Sequence, residues 1–366
     1  MRSILAVLPP FERKVPELGA SECDAVERGV PEHNALEPDA PGLAATEHDA
    51  LALDALGRLH ALLARYSPLV LAFSGGLDSR FLAHTAALWS HEGVALHLFH
   101  IAGPHVPEEE TLAARQWAEA RGLPLLLLPV NPLALERVRS NSPQRCYHCK
   151  TELFSRLREA VNNHPELGAY TICDGTNADD CSMYRPGLRA LEELGIRSPL
   201  AEAGIGKPLI RSLGRTLGLD NPEQTARPCL LTRFAYDVPA SPAAVQALAV
   251  AEASIAALLA RWAGAEGKGR VLPDFRLRLT GLGAAATGTG KVANAAERME
   301  IIAASGVGDS AGLFLPGDYD TELHLNTGLE PLWLEKLAAA VIQADFRAPR
   351  IRIMADLQGF YDKTRL

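Results

Sequence analysis

Apolar positions along the chain alternate between compact runs and stretches with helical spacing. Leu56, Leu59, Leu62 and Leu63 recur at helical spacing and predict a helix over Asp54–Tyr66. The run Leu69-Val70-Leu71-Ala72-Phe73 lies between Pro68 and a glycine pair. An unbroken apolar run of that length predicts a strand buried on both faces. Further helices are expected over Ser79–Trp89, Glu108–Arg121 and from near Tyr147 to Asn162, and strands over Ala95–His100, Leu125–Val130 and Tyr170–Cys173. Strands alternating with helices at this spacing predict an α/β fold built on a parallel sheet with right-handed crossovers.

Beyond Pro228 the pattern changes. A long Ala/Leu helix is expected over Ala243–Ala263, an alternating strand over Phe275–Leu279, a loop over Gly281–Gly290, a helix over Leu332–Gln343 and a strand over Ile351–Met354. This predicts a smaller α+β C-terminal domain. The expected organisation is a leader over residues 1–50, a nucleotide domain over 51–228 and a second domain over 229–366. No repeat of fixed period is evident.

Composition narrows the classes. Of the 366 residues, 48% are hydrophobic and 22% charged, which excludes a fibrous, disulfide-rich or wholly disordered chain. No apolar run reaches the roughly 18–20 residues that span a bilayer, so no membrane partner is expected. The apolar stretch before Pro9-Pro10 is too short for a signal-peptide core. A cytoplasmic protein with reduced thiols is therefore expected. The net charge of −8 is matched by residues 17–50 alone, which hold nine acids and Arg28. Their prolines and lack of aromatics predict a mobile leader. A chain that is otherwise neutral is a poor match for nucleic acid.

The strongest chemical signal is Ser74-Gly75-Gly76-Leu77-Asp78-Ser79, where a buried strand turns into a helix. Glycines let backbone N–H groups approach an anion, the hydroxyls of Ser74 and Ser79 add donors, and the helix start adds partial positive charge. Asp78 suits such a site if Mg²⁺ stands between it and a phosphate. A second signal, Asp174-Gly175-Thr176-Asn177-Ala178-Asp179-Asp180, follows the fourth strand and either lines the same crevice or forms an Asx-rich turn. A third joins Cys146 and Cys149, one helical turn apart, with the distant Cys229. These thiols suit a metal centre, a redox pair, or a zinc site with His148. Cys173 is expected in the core, and Cys181 either touches the site or does not. Arg276 and Arg278 alternate on a strand and suit a substrate phosphate or a solvated face.

The hexapeptide resembles the PP-loop of ATP pyrophosphatases. Together with RCYHCK-x-x-LF, DGTNADD, YRPG, RSPLAEAGIGK and PCLLTRF, it makes the chain from Leu69 to about Asp237 similar to the LarE-type sulfur transferases. That resemblance implies an ATP-dependent enzyme that adenylates a carboxylate, releases pyrophosphate and inserts sulfur during synthesis of a nickel-pincer nucleotide. The implied acceptor is a pyridinium dicarboxylate mononucleotide. It also implies ATP and Mg²⁺ at Ser74, Gly75, Gly76, Asp78, Ser79, Asp174 and Gly175, a homo-oligomer, and sulfide or another sulfur donor as partner. In the family, sulfur is carried either by a [4Fe–4S] cluster on three cysteines, here Cys146, Cys149 and Cys229, or by sacrifice of the cysteine matching Cys229. The presence of all three favours the cluster. Glu252 matches a family glutamate near the sulfur site, or is a solvated helix acid.

The chain departs from the family at Arg80, at Pro222-Glu223-Gln224-Thr225 and in the glycine-rich stretch from Thr280 to Leu329. Rival expectations are a tRNA thiolase of the same superfamily, an amide-forming synthetase, and a nucleotide-binding module without catalysis.

Overall fold

The computed structural model describes residues 47–182, 186–264, 272–282, 314–354 and Leu357. The expected leader, the tip of YRPG at Tyr184 and Arg185, most of the glycine-rich stretch and nearly all of the chain end lie outside them.

The N-terminal unit runs α1 (Glu47–Tyr66), β1 (Leu69–Ala72), α2 (Leu77–Leu88), β2 (Leu96–Ala102), α3 (Glu108–Glu119), β3 (Leu125–Pro129), a single turn α4 (Glu136–Arg139), α5 (Arg145–Asn163), β4 (Thr171–Cys173), α6 (Pro186–Glu193), α7 (Pro199–Glu202) and α8 (Lys207–Leu217). The four strands pair in parallel in the order β3-β2-β1-β4. Side chains on a strand alternate between faces, and the two cores follow that rule. Leu69, Leu71 and Leu98 face Leu59, Leu82, Trp117 and Leu213 from α1, α2, α3 and α8. Val70, Phe99 and Ile172 face Phe154, Leu157, Val161 and Leu191 from α5 and α6. Helices thus cover both faces, as a parallel sheet requires.

The C-terminal unit runs α9 (Pro242–Gly264), β5 (Phe275–Leu282), β6 (Tyr319–Leu325), α10 (Pro331–Gln343) and β7 (Arg350–Ile353). β5 and β6 are antiparallel, β6 and β7 parallel. Leu277, Leu279, Leu323 and Leu325 pack against Leu248, Ile255 and Leu259 of α9 and Leu337 and Val341 of α10. By length and composition α9 is apolar enough to cross a membrane. Its leucines and Ile255 belong to this core, and its Glu252 is ion-paired.

Several expectations need correction. α1 begins at Glu47, inside the expected leader. β6 and the amphipathic α8 were not anticipated: β6 is a seven-residue strand beside a glycine-rich region, and α8 starts at a Gly-Lys-Pro sequence that reads as a turn. Arg276 and Arg278 do not form a solvated strand face, because both are buried. Arg80 has a structural account: its guanidinium donates to Asp220 Oδ2 at 2.9 Å and to the Asn221 carbonyl at 3.0 Å. Asp220 also accepts from Trp117 Nε1 and Arg121, so Arg80 ties α2 to the segment following α8.

Phe81 on α2 is fully enclosed. Replacing it with alanine should destabilise the protein by about 3–5 kcal/mol through lost burial and the cavity left behind. Urea unfolding with an unchanged slope would measure this.

Candidate active site

In the order β3-β2-β1-β4 the chain moves outward from β1 to β3 and then returns to the other side of β1. The crevice at the carboxyl ends of β1 and β4 is therefore the topological switch point, where open parallel sheets bind ligands. The two polar segments singled out from the sequence leave these two strands.

Residues 74–79 form a tight anion-type loop. Gly75 has φ +76°, and a Cβ there would also lie 3.2 Å from the Cβ of Ala114. Glycine is needed for both reasons. Ser74 Oγ lies 3.1 Å from Ser79 Oγ and accepts from Gly76 N at 3.3 Å. Ser79 Oγ donates to the Gly76 carbonyl at 3.1 Å. The N-terminus of α2 opens on this loop without a side-chain cap, leaving N–H donors of its first turn for an anion.

The second segment is pressed against the first. A Cβ on Gly175 would sit 3.0 Å from Ser79 N. Asp174 is buried and accepts from Thr176 N at 3.2 Å, Thr176 Oγ1 at 2.5 Å and Ser198 Oγ at 2.7 Å. It therefore forms an Asx turn, one of the two alternatives for this segment, with Lys150 Nζ of α5 at 3.8 Å. Asp78, for which a Mg²⁺ counter-ion was expected, meets a protein cation. Lys207 Nζ donates to its two oxygens at 2.8 and 3.0 Å, and Asn177 Nδ2 donates at 3.2 Å. Lys207 N donates to Asp179 Oδ2 at 2.7 Å. Neither Lys207 nor Asn177 was singled out from the sequence, although both lie in motifs noted there; only folding brings α8 beside the loop.

The cysteines gather around Arg145. This buried guanidinium donates to Cys146 Sγ at 3.3 Å, to the Leu231 carbonyl at 2.6 Å and to Asn141 Oδ1. Cys149 is buried in the C-terminal core, and Cys229 precedes a 3-10 turn at Leu230–Arg233. Burial pushes the Cys149 and Cys229 thiols up, and the charges of the neighbouring thiols add to this, while Arg145 opposes it at both. The three sulfurs thus share one electrostatic environment. Among the described residues, no set of three His, Cys, Asp or Glu side chains is placed to hold a metal ion. Cys173 is enclosed at the end of β4. The exposed Cys181 reaches the Asn177 carbonyl at 3.9 Å. His148 lies edge-on to Tyr147.

The Cys229 segment is fastened to both units. Leu230 N donates to the His105 carbonyl, in the loop after β2, at 3.0 Å. Arg233 donates to both carboxylate oxygens of Glu252 at 2.7 and 3.0 Å and to the Pro228 carbonyl at 3.3 Å. Glu252 also accepts from Leu277 N at 3.1 Å. It is an ion-paired acid rather than a solvated one. Arg276 donates to Asp274 and to the Ala226 carbonyl, and Arg278 to the carbonyls of Thr232 and Leu357. These two arginines thus bond to the backbone on either side of Cys229.

A parallel sheet flanked by helices, with a glycine loop of this type at its switch point, defines a PP-loop nucleotide-binding protein. No family model matches the chain. An uncharacterized protein of Synechocystis is 35% identical over 182 residues, covering 50% of this chain and 66% of that protein. The pyridinium-3,5-bisthiocarboxylic acid mononucleotide synthase of Lactiplantibacillus plantarum is 31% identical over 180 residues, covering 49% of this chain and 63% of the synthase. The tRNA(Ile)-lysidine synthase of Salmonella dublin is 28% identical over 165 residues, covering 35% of that protein. The chain thus spans just under two thirds of the first two relatives and about a third of the last. Over about half of its length the chain is thus similar to a LarE-type PP-loop protein.

Gly175→Ala should weaken ATP binding by at least roughly tenfold, because a methyl 3.0 Å from Ser79 N must push the glycine loop out of place. Calorimetric titration with ATP measures the loss, and retained thermal stability separates it from unfolding.

Proposed function

We propose that the protein is an ATP-dependent sulfur transferase that adenylates a substrate carboxylate and then replaces the adenylate with sulfur. The observation that carries this reading is the double attachment of Cys229. Its segment is bonded to the loop after β2, beside the nucleotide crevice, and to the C-terminal arginines. In this reading the activated acyl group formed at the PP-loop passes to a thiol carried on that segment. A free carboxylate has no competent leaving group, so adenylation must come first. In that step a carboxylate oxygen attacks the α-phosphorus of ATP and pyrophosphate departs.

The residues divide this work by position. Backbone N–H groups of residues 75–79, with Ser74 and Ser79, are suited to hold the departing pyrophosphate. Lys207 stands at the same loop with a charge able to move from Asp78 to a phosphate. Asp78 is the carboxylate that would hold Mg²⁺, and bound there the ion would offset charge on the phosphates. The acceptor favoured by the likeness to the Lactiplantibacillus synthase is a pyridinium dicarboxylate mononucleotide, and Arg276 and Arg278 suit its phosphate.

The three thiols also suit a [4Fe–4S] cluster. Thiolates on one zinc ion lie about 2.3 Å from it and so within about 4 Å of one another, and the described residues offer no such set. Cys149 lies in the apolar cluster with Leu133, Leu230 and Leu231, Cys229 packs against it, and Cys146 accepts from Arg145. Three thiolates are the donor set that a [4Fe–4S] cluster takes, and the cluster when bound would supply an open iron site for sulfide. A second reading, in which Cys229 gives up its own sulfur, is favoured by the same absence of a metal-holding trio among the described residues.

Two measurements test these readings. Asp78→Asn should abolish Mg²⁺-dependent pyrophosphate release while leaving circular dichroism unchanged; normal release would sink the ATP-site assignment. Anaerobically prepared protein should hold about four irons per chain, and Cys146→Ala or Cys149→Ala should lose iron and sulfur transfer but retain adenylation. If those two variants stay active without iron and the protein loses about 34 Da, the mass of hydrogen sulfide, Cys229 is the sulfur source.

A further inference from the structure

One face of β2 meets the helices that carry the glycine loop and its support. Leu96 and Leu98 on that face belong to the apolar core, and strand alternation puts His100 beside them. It too is buried. A polar ring at that depth is costly unless its nitrogens find partners, and both do. Nδ1 lies 2.9 Å from the Phe73 carbonyl oxygen, and Nε2 lies 3.0 Å from Thr111 Oγ1 near the start of α3. A carbonyl only accepts, so Nδ1 carries the proton; Nε2 is then the acceptor and the Thr111 hydroxyl the donor. The opposite tautomer would set the Nδ1 lone pair against the carbonyl. Burial pushes the pKa of the ring down and so keeps it in this neutral form. A histidine that merely filled the core would need neither bond.

Phe73 is the residue from which the glycine loop departs. Its N–H donates to the Phe99 carbonyl at 2.8 Å and its carbonyl accepts from His100, so the peptides on both sides of it are held. The second of these leads into Ser74, whose hydroxyl accepts from Gly76 N and lies against Ser79. Helix α3 backs the same stretch with Thr111, Ala114 and Trp117, three residues apart on one helical face. Thr111 meets His100. A Cβ on Gly75 would lie 3.2 Å from that of Ala114, and Trp117 stacks on Phe73 with ring centroids 5.2 Å apart. His100 is the polar tie between this support and the first peptide of the loop.

We propose that His100 is a positioning residue for ATP. By bridging Thr111 and the Phe73 carbonyl it fixes the direction in which the glycine loop leaves β1, and with it the N–H groups that hold the phosphates. The choice of ATP as ligand rests on the reading proposed above. His100 acts through the backbone and not by touching the nucleotide. Without its Nδ1 donor the peptide between Phe73 and Ser74 turns more freely, and affinity falls.

The probe is α,β-methylene-ATP, which resists cleavage between the α- and β-phosphates, titrated by calorimetry. His100→Leu keeps much of the volume but has no donor, and should bind the analogue at least roughly tenfold more weakly. His100→Asn places an amide nitrogen where Nδ1 stood, and should stay within about threefold of wild type. His100→Gln places its amide on the Thr111 side instead, and should bind as weakly as His100→Leu. A role confined to packing would rank the variants by volume and leave His100→Asn the weakest. Wild-type affinity in His100→Leu, or a loss in His100→Asn as large as in His100→Leu, would overturn the proposal. Imidazole NMR of the wild-type protein decides the matter even if the variants do not fold: the proton is expected on Nδ1, and a proton on Nε2 would also overturn it. Failure of wild-type protein to bind the analogue would overturn the ATP reading and this proposal together, whereas unaltered binding by His100→Leu sinks this proposal alone.

Discussion

Parallel pairing sends the carboxyl ends of β1, β2, β3 and β4 to one edge, and the placement of every group of chemical interest depends on that constraint. The glycine loop leaves β1, the His105 loop leaves β2, the run to the Cys146 helix leaves β3, and the Asp174 segment leaves β4. None of these connections is near its partners in sequence. They meet because each crossover returns to the opposite edge before the next strand begins. At one of these meetings a Cβ on Gly175 would lie only 3.0 Å from Ser79 N.

The second constraint is electrostatic. Arg145 and Arg233 are buried cations, and each is satisfied by bonds that also locate a functional segment. Arg145 ties the Cys146 helix to Leu231, and Arg233 ties the Cys229 segment to α9. Removing Glu252 would leave Arg233 an uncompensated buried charge, a cost of about 3–5 kcal/mol. Such pairs fix geometry more than they add stability. Burial holds the Cys149 and Cys229 thiols up, and Arg145 opposes it at both without overcoming it. Arg276 and Arg278 illustrate the same economy of donors: in this structure their forks are filled by backbone carbonyls and Asp274. An anionic ligand would have to replace those acceptors.

The local order of the chain was legible in its amino acids. The apolar run at Leu69, the glycine pair after it and the Cys-x-x-Cys helix start are signals carried within a few residues, and each led to the right kind of element. The likeness to the LarE-type proteins, too, was legible, because their motifs are contiguous stretches whose order survives in sequence. Short elements without a strong period, such as β6 and α8, were not. What only the tertiary structure decided is who stands beside whom. Asp78 called for a cation, but that Lys207, far along the chain, supplies it depends on where α8 packs. Two arginines on one strand face could equally have been solvated; burial under the Cys229 segment decided otherwise. Burial depends on neighbours far apart along the chain, which no local pattern encodes.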